Sequence, residues 1–109
     1  MLQSGLYKLL SETGLPVYYY EADENPSLPY IVYFTDNTAA WGADERNYLR
    51  KDSYIVEFYS ANKNFENQKK IETALDKAGI NYSATETHIE EEKMYMVAFT
   101  FEIIRKAER

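Results

Sequence analysis

Cysteine is absent from this sequence, which excludes any disulfide framework and any thiolate metal site. Histidine is nearly absent. His88 is the one imidazole in the chain, whereas a catalytic metal site ordinarily takes about three protein ligands. The four glycines (Gly5, Gly14, Gly42 and Gly79) stand apart from one another, so no glycine-rich phosphate cradle is present. No apolar run approaches the roughly 20 residues that span a bilayer. The opening MLQSGLYKLL has neither the basic region nor the apolar stretch of a signal peptide. A soluble protein made in a cytoplasm is expected, in which the sequon Asn81-Tyr82-Ser83 has no role. Positive charge is also scarce, with 12 Lys and Arg against 18 Asp and Glu and a net charge of −6. A protein that grips the nucleic-acid backbone needs a positive surface, so the balance argues against that function. It does not exclude an acidic wall past which DNA slides.

What the chain does have is tyrosine, eleven of them beside five phenylalanines. Aromatic residues favour pleated surfaces, so a sheet should dominate. Tyrosine also keeps a polar tip, which suits half-exposed faces and contacts between chains. At 109 residues, 45% hydrophobic and 28% charged, the sequence describes one globular domain. No internal repeat, linker or low-complexity segment divides it. The runs Glu21-Ala22-Asp23-Glu24 and Glu90-Glu91-Glu92, and the basic residues Arg105, Lys106 and Arg109, read as solvated surface.

Leu2, Leu6, Leu9 and Leu10 follow helical spacing, which predicts a short amphipathic helix over residues 2–12, with Gly14 as its C-cap and Pro16 preventing continuation. PVYYYE, residues 16–21, predicts a short strand, and Asn25-Pro26-Ser27 a turn. LPYIVYF then places Tyr30, Val32 and Phe34 on one face of a strand. DSYIVEFYS repeats the pattern with Tyr54, Val56 and Phe58. Ile71, Ala74, Leu75 and Ala78 mark the apolar stripe of a helix from about 64 to 78, capped by Asn62 or Asn64 and ended by Gly79. Residues 82–89 predict a weaker strand. Residues 94–104 predict a strong one, with Tyr95, Val97, Phe99, Phe101 and Ile103 alternating with Met94, Met96, Ala98, Thr100 and Glu102. The expected fold is α+β, a mostly antiparallel sheet of about five strands packed by two helices.

No catalytic motif emerges. His88 has no serine or cysteine partner. With its flanking Glu86 and Glu90 it could hold a divalent metal or act as a general base, but a lone histidine in a polar strand running into an acidic turn reads first as exposed surface. Eighteen scattered acids make some carboxylate pairs inevitable. Tyr18-Tyr19-Tyr20 has no interleaved basic residues with which to bind nucleic acid.

One family does resemble the sequence. A strand of the type IVEFYS leads into a helix ending in Leu75, Ala78, Gly79 and Ile80, followed by ETHIEEE and a closing YMVAFTFEI. LPYIVYF precedes them, with a polar stretch holding Ala43-Asp44. Over residues 28–104 this pattern resembles the tail terminator, or tail completion, proteins of long-tailed phages and prophages. The resemblance implies a structural virion protein of the tail or neck, made in a bacterial host cytoplasm. It implies a ring, typically a hexamer, joining the tail tube protein to the head-connector protein, with DNA passing through the lumen. It also implies no enzymatic activity, no cofactor, no metal and no membrane partner.

Between LPYIVYF and YIVEFYS lie nineteen mostly polar residues, TDNTAAWGADERNYLRKDS, far more than the two to five of a tight hairpin. Residues 36–52 are expected to form an extended hairpin or arm reaching a neighbouring subunit or the tail tube. Trp41 is its aromatic anchor, Arg46 and Arg50 pair with acidic partners, and Asp44 and Tyr48 complete the contact. Two other functions fit the sequence: a small-molecule module with a pocket lined by Tyr18, Tyr20, Tyr30 and Tyr54, and a metal-dependent enzyme built on His88, Glu86 and Glu90.

Overall fold

The computed structural model describes residues 3–42 and 47–108. Leu2, Ala43, Asp44, Arg46 and Arg109, which the sequence singles out, lie outside them. The elements run α1 (Gln3–Ser11), β1 (Val17–Tyr19), β2 (Tyr30–Gly42), β3 (Asn47–Ser60), α2 (Phe65–Lys77), β4 (Ser83–Ile89) and β5 (Met94–Glu108). The strands form a single sheet in the order β1-β2-β3-β5-β4. Only β1 is parallel to its neighbour. The other pairings are antiparallel, so the fold is α+β as the periodicities indicate.

Local chemistry sets the ends of the elements. The Asn64 side chain accepts a hydrogen bond from the Asn67 amide at 3.1 Å and caps α2, whose first amides would otherwise lack partners. Gly79 follows the helix at φ +72°, a conformation that a side chain disfavours. Between β4 and β5 the acidic run Glu90–Glu92 winds into a 3-10 turn, closed by Lys93 at φ +52°.

Residues two apart on a strand share a face, and that rule sorts the core. Ile31 and Tyr33 of β2, Tyr54, Val56 and Phe58 of β3, and Val97, Phe99 and Phe101 of β5 project to one side. There they meet Leu6 and Leu10 of α1 and Ile71 and Leu75 of α2, so both helices pack on the same face of the sheet. Among the described residues no helix lies on the opposite face. Aromatic rings cover part of it instead. Tyr30 stacks on Tyr59 with centroids 5.0 Å apart and meets Tyr18 edge-on at 6.0 Å, while Tyr20 stacks on Phe34 at 5.9 Å. Tyr30 and Val32 are thereby buried. Burial and the hydrogen bond that it donates to Glu57 push the Tyr59 hydroxyl pKa far above its ordinary range.

Three strands outrun the helices. The sequence-based strand ends at Phe34 and Ile103–Ile104 correspond to no break, because β2 continues to Gly42, β3 begins at Asn47 and β5 runs on to Glu108. The molecule is accordingly elongated, 51 × 26 × 21 Å.

Folding rests on the one-sided core, so truncation there should be costly. Leu75 is fully buried between helix and sheet. Leu75→Ala is expected to lower unfolding free energy by about 2–5 kcal/mol, measured by denaturant titration.

Candidate assembly arm

The long polar stretch is a β-arm. Asn37 to Gly42 pair with Ser53 to Tyr48, and Asn47 to Ser53 pair on their other side with Glu108 to Glu102. The arm therefore has three strands with β3 in the middle. The third strand was hidden in the C-terminal residues, where charged Arg105, Lys106 and Glu108 interrupt the apolar alternation.

A single extra residue decides which way the arm faces. Thr35 registers opposite Tyr54 but Asn37 opposite Ser53, so Asp36 is bulged out of the ladder. Without it, Trp41 would fall in phase with Ile31 and Tyr33 on the helix-bearing face. The bulge instead puts Ala39 and Trp41 in phase with Val32 and Phe34, on the face that no helix covers. Trp41 is 42% exposed there, opposite Leu49. On the same face of β5, Ile104 is 62% exposed. Lys51, opposite Ile104 on one side and Ala39 on the other, pairs with Glu102 at 3.3 Å.

The arm's other face carries its attachment to the body. Asp52 is only 4% exposed. One carboxylate oxygen accepts a hydrogen bond from the Thr38 hydroxyl of β2 at 2.8 Å, and the other accepts one from Arg105 Nε of β5, also at 2.8 Å. The contact joins all three strands just beyond Tyr54 and Phe101, at the register of Ile103, which still packs against the edge of the core. Burial by itself raises the Asp52 pKa. The hydrogen bonds from Arg105 and Thr38 and the guanidinium charge outweigh it, and the carboxyl titrates below its ordinary value. Arg105 also registers opposite Arg50, and the Asp52 carboxylate offsets that like-charge pairing.

Of the residues expected in the arm's contact surface, Trp41 is exposed and Arg50 is half-buried, its Nη1 donating to the Leu49 carbonyl at 3.3 Å. Tyr48 is placed by its backbone opposite Gly42 and Ala107. Ile104, Asp52 and Arg105 were missed. For Ile104 the available signal was a second isoleucine directly after Ile103, out of phase with the Val97, Phe99, Phe101 and Ile103 alternation. Asp52 and Arg105 are 53 residues apart, and nothing local marks them as partners.

The other two site readings gain no support from geometry. Tyr54 lies on the helix-bearing face stacked on Phe101, whereas Tyr18, Tyr20 and Tyr30 lie on the opposite face, so the four tyrosines do not line one pocket. His88 packs against Tyr95 at 4.6 Å, and Glu86 pairs with Lys63 at 3.5 Å. Among the described residues no group of three or more His, Asp or Glu is placed to hold a metal ion.

A scan against protein families gives no match, and neither does a comparison with curated proteins. Among solved structures, the chain is similar to one from a structure described as "Virion of native gene transfer agent (GTA) particle". The two superpose with a TM-score of 0.64 over 91% of this chain and 84% of the other, at 15% identity. At that identity the likeness shows a shared fold.

The Asp52 contact has a pH signature. A carboxyl whose folded pKa is lowered adds stability above its unfolded pKa, ordinarily 3.8, and loses it as pH falls through the lower folded value. Asp52→Asn should therefore melt several degrees below the parent from neutral pH down to about pH 4. The gap should close at lower pH, as thermal melts across pH will show.

Proposed function

We propose that this chain is a structural virion subunit, a tail terminator or tail completion protein, without enzymatic activity and without a cofactor. Copies assemble into a ring, a hexamer, at the head-proximal end of a tail. The ring joins the tail tube protein to the head-connector protein, and DNA passes through its lumen without specific binding. The protein is made in the bacterial host cytoplasm and ends in the tail or neck of the particle.

The observation that carries this reading is the fold shared along nearly the whole chain with a chain of a gene transfer agent virion. The sequence resemblance to tail completion proteins over residues 28–104 points the same way. The arm supplies the physical reason for assembly. A rigid extension of the sheet that exposes Trp41 and Ile104 adds little to the core of one subunit, and it offers an apolar surface to the next. Trp41 is the aromatic anchor of that contact, and Arg46 and Arg50 supply charge for acidic groups of the partner, with Asp44 and Tyr48 beside them. A net charge of −6 keeps DNA from adhering to the ring.

Mass measurement in solution with tail tubes added, together with electron microscopy of tail ends, tests the proposal. The expected result is a ring at one end of the tube, and a protein that stays monomeric and never appears there would refute it. Trp41→Ala, or Arg46→Glu, should leave the subunit's melting within about 0.5 kcal/mol of the parent. The same changes should weaken assembly, with the anchor Trp41 costing about 2 kcal/mol or more.

A further inference from the structure

The arm leaves two strand edges without neighbours. β1 pairs with β2 only at Ile31–Tyr33, and β4 pairs with β5 only from Met94 to Thr100. Beyond those points, among the described residues, β2 from Thr35 to Gly42 and β5 from Phe101 to Glu108 each have β3 on one side and no strand on the other. Backbone groups point alternately to either side of a strand. The hydrogen bonds Ile31 N–H to Pro16 O and Tyr20 N–H to Tyr33 O set the phase on β2. After the bulge at Asp36, Thr38 and Ala40 present their N–H and C=O to the open edge. On β5 the residues that alternate with those facing β3 are Glu102, Ile104 and Lys106.

Long open edges invite pairing, and proteins ordinarily blunt them with proline or charge. On the β2 edge Asn37 to Gly42 contain neither, while the β5 edge has no proline and carries an acid and a base, Glu102 and Lys106. β2 and β5 are both antiparallel to β3 and so run in the same direction. They are also of matching length. We propose that the open β2 edge of one copy pairs, as a parallel strand, with the open β5 edge of a second copy of this chain, so that the arms of adjacent subunits form one continuous sheet.

This inference rests on the ring reading and gives the mode of contact within it. Two features favour the head-to-tail join over a twofold one. A twofold pairing of one edge with itself leaves the other edge open, whereas the head-to-tail join uses both, and it forms a ring where the rotation between copies closes. The exposed Trp41 lies beside one edge and the exposed Ile104 beside the other, on the same face. Within a copy β3 separates them. Across the join they occupy adjacent strands and cover each other.

The absence of cysteine makes the join open to direct test. Ala39 and Ile104 both register opposite Lys51, so within one copy they are two strand spacings apart, about 9.6 Å. A disulfide needs Cα atoms within about 7 Å, so it forms between adjacent strands and not across β3. The full chain carrying Ala39→Cys together with Glu102→Cys, Ile104→Cys or Lys106→Cys, three variants that sample the register, is oxidised with and without tail tubes. The size of the covalent species is then read on a denaturing gel.

At least one double variant should give a ladder above the dimer. A mixture of the corresponding single variants should give only dimers, and each single variant alone should give none. Rings that form without any cross-link would overturn strand pairing and leave the ring reading standing. Dimers from a single variant alone would overturn the head-to-tail arrangement. Neither rings nor cross-links would remove both readings together. Ala40→Pro, which deletes an outward N–H at an edge where proline is tolerated, should abolish the ladder while Ala40→Ser retains it.

Discussion

Where the apolar core ends, one buried carboxylate takes over the task of holding the strands together. Asp52 accepts hydrogen bonds from Thr38 on one side and Arg105 on the other, and so joins β2, β3 and β5 immediately beyond the last core aromatics, Tyr54 and Phe101. The helices offer the arm no apolar surface to pack on, and backbone pairing alone would leave it a thin ribbon free to twist. A buried, fully partnered carboxylate fixes which residues lie opposite one another, since a slip of one residue would take Asp52 out of reach of both donors. The direction of the arm, and hence the placement of Trp41 and Ile104, depends on this contact.

The second determinant is the bulge at Asp36. A strand that buries alternate residues against helices must continue into an arm whose apolar residues face the other way. One extra residue accomplishes that, because the side-chain period of a strand is two. The result is a sheet with a division of labour along its length. At one end its helix-bearing face stabilises the subunit. At the other, its bare face presents tryptophan and isoleucine to whatever lies alongside.

Much of this was legible in the sequence, for physical reasons. Val97, Phe99 and Phe101 alternate so regularly that β5 and its buried face could be read directly, and the stripe Ile71, Ala74 and Leu75 defined α2 just as clearly. The arm itself was signalled by the length of polar sequence between two strong strands. Its third strand was not, because a strand without a core to cover has no reason to alternate, and Arg105 and Lys106 look like any charged tail. The face on which Trp41 lies was illegible for a different reason. It hangs on a bulge at Asp36, in a residue type that suits a loop as well as a strand. The division of the tyrosines between the two faces likewise follows from strand register, with Tyr18 beside Val32 and Tyr54 opposite Thr35, which spacing alone does not reveal.

The central claim is that the arm's bare face is a surface for assembly, and the one tryptophan of the chain reports on that face directly. Trp41 is 42% exposed in the isolated subunit, so its fluorescence emission there should be that of a partly solvated indole. The decisive measurement is its emission maximum as subunits assemble with tail tubes, with quenching by an added solute followed in parallel. A shift to shorter wavelength together with protection from the quencher is the result the account predicts. Assembly that leaves both emission and quenching unchanged would contradict it, because the arm's exposed face would then take no part in the contact.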